Sequence, residues 1–308
     1  MNIGDMVLKF FSVVVMVSVL IVASCSKNNE ILNSTEVEII SSESLSEACV
    51  AEASEMSFVI LSSLTDSQLG GSTTTPIPSV ISSIDSLLAG ASISVAGIGG
   101  MNNPQGTITI SFKTTTTDYV KDYHGVTRKG IIKINYSGRR WAAGSTRSIS
   151  FSGYSRNNVM IGDNTNYTIT NLSADSDSLA TRRNFQHVLK NCTLTFPDQK
   201  TFLRNAGFNA RINFVARTTT LYATNPDSTA VVTTQYGQKF VMNITDSLVY
   251  KPQCIGAKMY LPNEGTKSIT SGTSTYIVDY RSTLTCSRYV NVTAGGKSAI
   301  VTVNSDGN

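Results

Sequence analysis

Gly106-Thr107-Ile108-Thr109-Ile110-Ser111-Phe112-Lys113 alternates large apolar side chains with hydroxyl or charged ones at a period of two. Successive side chains of an extended strand leave on opposite faces, so Ile108, Ile110 and Phe112 share one face and the polar residues share the other. One buried and one wet face is the mark of an antiparallel sheet, because parallel strands covered on both sides read as apolar throughout. The period recurs downstream at Ile132, Ile134 and Tyr136, at Ile149 and Phe151, and at Tyr167 and Ile169. It continues at Cys192, Leu194 and Phe196, at Ala210, Ile212 and Phe214, and at Phe240, Met242 and Ile244. Turn formers separate these runs: Ser137-Gly138, Ser152-Gly153, Gly162-Asp163-Asn164, Pro197-Asp198 and Pro226-Asp227. The clearest hairpin joins Val290, Val292 and Ala294 through Gly295-Gly296 to Ala299, Val301 and Val303. The expected fold is mainly β: an extended antiparallel meander over residues 106–308, as a curled sheet or a sandwich, with an N-terminal helix packed on it. No fixed short repeat marks a β-helix.

Upstream of Gly106 the period lengthens. Leu45, Cys49, Ala53, Met56, Ile60 and Leu64 are spaced by three or four and predict a helix over 43–68, ended by Gly70-Gly71. Thr73 to Pro78 reads as linker, Ser79–Leu88 as a second short helix, and Gly90–Gly106 as loop, so 43–105 is a helical segment and linker.

The first 24 residues carry an address. Lys9 precedes the apolar run Phe10 to Val22, which has the length of a signal-peptide core. Val22-Ala23-Ser24-Cys25 follows and resembles the lipobox at which a lipoprotein signal peptidase cuts, leaving an acylated cysteine as the first residue. The reading is a signal peptide over 1–24, lipidation at Cys25, and a polar tether over 25–42. Several acyl chains on one residue hold a protein stably on a bilayer, which makes the membrane the first partner. No later stretch reaches about 18 consecutive apolar residues.

Of 308 residues, 15% are charged and 41% hydrophobic, which suits sheets with hydroxyl-rich outer faces and excludes disorder. The net charge of +4 and the isolated pairs Arg139-Arg140 and Arg182-Arg183 lack the dense basic patch of a nucleic-acid binder. Export removes cytosolic nucleotide cofactors, and none is expected. Beyond Cys25 stand Cys49, Cys192, Cys254 and Cys286, an even number that permits disulfides in three connectivities or four buried thiols. Cys254–Cys286 is the favoured pair, closing a modest loop in the C-terminal strands. Without Cys-x-x-Cys, and with two histidines, no zinc site is expected.

Several stretches are similar to a group of uncharacterised lipoproteins of Bacteroidota. They are His124-Gly125-Val126-Thr127-Arg128-Lys129-Gly130 with the strand Ile131–Tyr136, then Tyr167-Thr168-Ile169-Thr170-Asn171 and 193–201. They continue with Cys254-Ile255-Gly256 through Gly272, Thr275–Tyr280, and Cys286 with the final hairpin. The resemblance covers most of 106–304, implies an antiparallel sheet and the cell envelope, and carries no activity over to this chain; with the lipid anchor, the expected location is the outer membrane. Arg281 and Ser287 depart from the Gly and Asp common in that group, which weakens any shared site there. It also gives meaning to Asp85-Ser86-Leu87, Asp177-Ser178-Leu179 and Asp246-Ser247-Leu248, which resemble its O-glycosylation sequon.

Candidate chemistry is sparse. His124 beside Asp122 in a polar turn lacks a nucleophile, and His187 is placed at the start of a strand without a motif. No Gly-x-Ser-x-Gly elbow occurs. Asp163-Asn164-Thr165-Asn166 and Asp175-Ser176-Asp177 offer oxygens without the Gly and Glu of a calcium loop, and no metal is expected. Trp141 with Arg139 and Arg140 is either a sheet-edge anchor or a platform on which a sugar stacks. These residues point away from an enzyme and toward an envelope protein that is structural or binds a glycan, a ligand or another envelope protein.

Overall fold

The structure, a computed structural model, describes residues 34–64, 66–71, 75–76, 86–113, 117–122, 125–139, 142–173, 182–213, 218–222, 230–234, 237–251, 253–254, 261–281 and 286–303. Every strand pairing is antiparallel and all strands join one sheet. β1 (Thr75–Pro76) pairs with β2 (Ser92–Ile98), β2 with β3 (Gln105–Ser111), and β3 with β5 (Thr127–Ser137). β4 (Tyr119–Lys121) takes up the remaining edge of β5 at residues 127–129. β5 pairs with β6 (Thr146–Arg156), and β7 (Val159–Ile161) and β8 (Asn166–Asn171) lie end to end between β6 and β9 (Arg182–Thr195). β9 pairs with β10 (Thr201–Asn213), and β11 (Thr218–Tyr222) and β12 (Ala230–Thr234) share the next position before β13 (Lys239–Tyr250). β14 (Glu264–Ser271), β15 (Ser274–Asp279), β16 (Tyr289–Ala294) and β17 (Lys297–Thr302) complete the meander.

Helix α1 (Ser34–Ser63) runs inside this sheet, and a short α2 (Asp66–Gly70) follows it. Its stretch 43–64 is rich in Glu, Ala and Leu, all good helix formers. The six apolar positions that predicted the helix are all buried. So are Val50, Glu43 and Ser44, which lie off that stripe, and Glu52 and Ser57 at its margins. A helix buried around most of its circumference needs partners around most of it. Glu43 and Glu52 are about two and a half turns apart and leave α1 on opposite sides. Glu43 meets Arg204 on β10 and Lys267 on β14, while Glu52 meets Arg128 on β5 and Arg156 on β6. One sheet reaches both sides only by curling around the helix, which selects the curled sheet over the sandwich. Small serines let it approach closely; Ser44 and Ser46 satisfy their hydroxyls by donating to the carbonyls of Ile40 and Glu43.

Bulges supply the curl. Gly130 (φ 83°) faces Gly153 where the β5–β6 register slips, and a Cβ on Gly130 would lie 2.2 Å from the Gly153 carbonyl oxygen. Lys190 and Asn191 (φ 54°) together oppose Asn205 between β9 and β10. An extra residue on one strand bends it and tightens its twist. The apolar interior falls into two clusters along α1. One joins Leu45 to Leu69 with β2–β9, and the other joins Ile39 and Ile40 with β12–β17 and Phe202.

The sequence boundaries move in three places. The helix begins at Ser34, so residues 34–42, expected in the tether, are its first turns, with Ile39 and Ile40 in the second apolar cluster. The loop expected over Gly90–Gly106 contains β2, whose Ile93 and Val95 are buried, so the sheet starts before residue 106. Of the second short helix, the described part is a single 3-10 turn, Ser86–Leu88; residues 79–85 lie outside the described residues. The final hairpin stands as expected, with Ala294 paired to Lys297 and both Gly295 (φ 56°) and Gly296 (φ 77°) in the left-handed region that such a turn requires.

Candidate functional site

The inner face of the sheet carries charge. Glu52, on α1 and fully buried, accepts a hydrogen bond from Arg128 Nε on one oxygen and from Arg156 Nε at 2.6 Å on the other. Arg128 Nη1 also donates to Asp122 Oδ2 at 2.9 Å, and Asp122 Oδ1 accepts the Val126 N–H at 2.9 Å. Burial pushes the Glu52 carboxyl up, but the Arg128 and Arg156 guanidiniums outweigh it and hold it below the ordinary carboxylate range. Two turns earlier, Glu43 and Glu47 face Arg204 and Lys267. Arg204 Nη2 donates to both carboxylates, at 3.3 and 3.1 Å, and Lys267 Nζ donates to Glu43 Oε2 at 3.1 Å and to Glu47. Burial and then the neighbouring Glu47 raise the Glu43 carboxyl, whereas Lys267 and Arg204 outweigh burial and lower that of Glu47.

Beside the second cluster, along the following turns of α1, lies a cavity of about 90 Å³. Its helix wall is Glu47, Val50, Ala51, Ser54, Glu55 and Phe58, spaced by one, three or four residues and so a single stripe of α1. Tyr167, His187, Arg204, Phe208 and Tyr250 stand across from it on β8, β9, β10 and β13. Ala51 and Ala210 leave the room. Half-buried Ala51, Glu55, Phe58, Phe208, Ile212 and Thr219 form its rim.

His187 anchors the sheet wall. It lies within β9, paired to Ile169 and Phe208, rather than at a strand start. Tyr167 Oη hydrogen-bonds its Nδ1, and the Phe208 ring stacks on it at 4.9 Å and 13°. Burial, and then the Arg147 charge, push its pKa down to about 3, so the ring is neutral. Its Nε2 is buried without a hydrogen-bond partner, as is Arg204 Nε. Arg147 lies 5.3 Å from the Phe58 ring centre and 5.5 Å from that of Phe185, and donates to Ser57 Oγ at 3.2 Å. Cys49 and Cys192 are buried free thiols, pushed by burial up to about 12 and about 11, which keeps them protonated and unreactive.

The residues singled out from sequence lie elsewhere. Cys254 and Cys286 form a disulfide with Cα atoms 5.0 Å apart. Arg139 is exposed and donates to Asn102 Oδ1 at 2.8 Å. Cys25, His124, Arg140, Trp141 and Asp175-Ser176-Asp177 lie outside the described residues. Both oxygens of Asp122 are engaged by Val126 and Arg128, and Asp163 Oδ1 accepts the Gly153 N–H at 2.8 Å. Among the described residues no group of three His, Cys, Asp or Glu side chains gathers to hold a metal. The cavity itself left no motif; its one sequence signal was charged and imidazole side chains at inward strand positions. Compared with protein-family models, curated proteins and solved structures, the chain matches none.

Proposed function

We propose that this is an exported lipoprotein of the cell envelope, anchored in the outer membrane through Cys25, whose helix-filled sheet is a non-enzymatic structural or binding module. The observation that carries the anchor is the apolar run Phe10–Val22 ending in Val22-Ala23-Ser24-Cys25. The start of α1 at Ser34 adds a consequence. Nine residues separate the start of the mature chain from the helix, and at full extension they reach about 30 Å. The body therefore works close to the bilayer surface. A binding role is supported by the cavity, whose walls are rigid elements tied by buried ion pairs, the arrangement that holds a site in shape. The resemblance to lipoproteins of Bacteroidota agrees with this reading.

Fractionation of expressing cells tests it. The wild-type chain partitions into the detergent-rich phase as a shortened form. Cys25→Ser accumulates as the longer precursor and takes up no labelled fatty acid. Equal partitioning and processing of both chains overturns the anchor. Protease treatment of intact cells then separates a surface role from a periplasmic one.

A further inference from the structure

We infer that the cavity between α1 and strands β8–β13 is a binding site for a small uncharged organic molecule with an apolar body and one hydrogen-bond-accepting oxygen. The inference deepens the binding half of the proposed function and is independent of the lipid anchor. Three features meet in this one place.

The first is space on an otherwise closely covered helix. Between Ser42 and Leu61 the stripe Glu47, Ala51, Ser54, Glu55 and Phe58 is only half-buried, while every other residue of that stretch except half-buried Val59 is buried. A dry cavity of ~150 Å³ holds benzene, so about 90 Å³ with an open rim suits a body of roughly four to six non-hydrogen atoms. Val50, Phe58, Phe208 and Ile212 give that body apolar walls.

The second is a pair of unsatisfied nitrogens. Buried polar atoms without partners are rare, and two lie on residues lining this cavity: His187 Nε2 and Arg204 Nε. A guanidinium Nε only donates. Tyr167, hydrogen-bonded to Ser54 and to His187 Nδ1, keeps its own proton, because burial raises its pKa. When Ser54 donates to Tyr167 and Tyr167 to Nδ1, the ring proton stands on Nε2, and both orphan nitrogens are donors. What they lack is an acceptor oxygen.

The third is charge balance. Glu43, Glu47 and Glu55 face Arg147, Arg204 and Lys267, three of each sign. An ionised ligand would enter without a spare counter-charge and lose its hydration, which is costly. A ketone, ester or amide oxygen offers an acceptor without that cost.

The test titrates the purified protein with cyclopentanone, cyclopentane and isobutyrate while following the imidazole ¹⁵N signals. There are two histidines, and His124→Gln assigns them. Expected are a protonated Nε2 on His187, a saturable shift of that ring with cyclopentanone, and roughly tenfold weaker binding of cyclopentane, the worth of one satisfied hydrogen bond. Isobutyrate leaves the His187 signals in place. Ala210→Leu, which fills the cavity, removes the response. His187→Phe keeps the aromatic stack, and with the ring signal gone its binding is read from saturation transfer to the probe protons; there the gap between ketone and hydrocarbon narrows. An unprotonated Nε2, equal binding of all three probes, a response that survives filling, or no saturable shift because the cavity holds water only, each overturns the inference. None of these outcomes touches the lipidation of Cys25.

Discussion

Replacing Glu52 by Gln removes one negative charge from a place where two guanidiniums converge. Glu52 is fully buried, and Arg128 and Arg156 are each about 1% exposed. The amide can still accept on one oxygen, but it turns a donor toward the second arginine. Asp122 then remains as the carboxylate bonded to Arg128. Breaking a buried ion pair by removing one partner costs about 3–5 kcal/mol, a large part of the ~5–15 kcal/mol that holds a domain folded. At roughly 2 °C per kcal/mol for a chain of this size, the thermal midpoint falls by about 6–10 °C. Circular dichroism of the sheet signal during heating reads this directly. The decisive companion is the quadruple variant Glu52→Leu, Arg128→Met, Arg156→Leu, Asp122→Asn, in which the amide oxygen at 122 still accepts the Val126 N–H and no carboxylate is left facing the lost guanidiniums. If uncompensated charge causes the loss, the uncharged variant recovers most of it, because buried ionic sets are often replaceable by well-packed apolar ones. A Glu52→Gln midpoint within about 2 °C of wild type refutes the reasoning. So does a quadruple variant as unstable as the single one.

Acid should weaken the fold through His187. Its folded pKa of about 3 is depressed from 6.5, so the unfolded chain binds the extra proton between those values. Stability is then lost as pH falls from 6.5 toward 3, by at most about 1.4 kcal/mol per pH unit from this group; urea unfolding at pH 7 and 5 should show the slope, and His187→Phe should flatten it. Glu52 and Glu47, held below the carboxylate range, add a further loss below pH 4.5, while Glu43, held above it, opposes them. Reducing Cys254–Cys286, which are 32 residues apart in sequence, should cost about 3–4 kcal/mol from loop closure, read as a lower midpoint in dithiothreitol that Cys254→Ser reproduces. Gly106→Ala would place a Cβ 2.2 Å from the Ala96 carbonyl oxygen and 2.5 Å from Tyr136 Oη, the hydroxyl that donates to the Leu69 carbonyl at 2.6 Å. A loss of about 1–3 kcal/mol is expected from that crowding, and an unchanged midpoint would show that β2 gives way freely.

The fold was readable wherever the buried face is apolar. Ile108, Ile110, Ile132, Ile134, Ile149, Tyr167 and Leu194 all point inward as their period of two required. The reading failed where the inward face carries charge. Arg183 and His187 begin the inner row of β9, Arg204 interrupts that of β10, and Lys267 stands in β14; all four are buried. A pattern scored on hydrophobicity counts each as an outward residue, so β9 and β10 were entered many residues late. Partners more than a hundred residues distant compensate Arg204 and Lys267, and only the fold brings Glu43 and Glu47 to them. The same cause explains the helix. The spacing of Leu45, Cys49 and Ala53 marks one stripe, while Glu52 and Ser57 read as a solvent face until the curl of the sheet covers them. β2 hid for a different reason: Gly97 within it and Gly99 and Gly100 just after it read as loop, whereas Gly97 lets the Leu69 carbonyl approach to within 2.3 Å of where a Cβ would lie.

The account as a whole depends most on the processing at Cys25. Intact-mass and N-terminal peptide mass spectrometry of the protein purified from its own membrane measures this directly. The account predicts a mature chain that starts at Cys25 and carries a diacylglyceryl thioether. A chain starting elsewhere, or an unmodified thiol at Cys25, contradicts it.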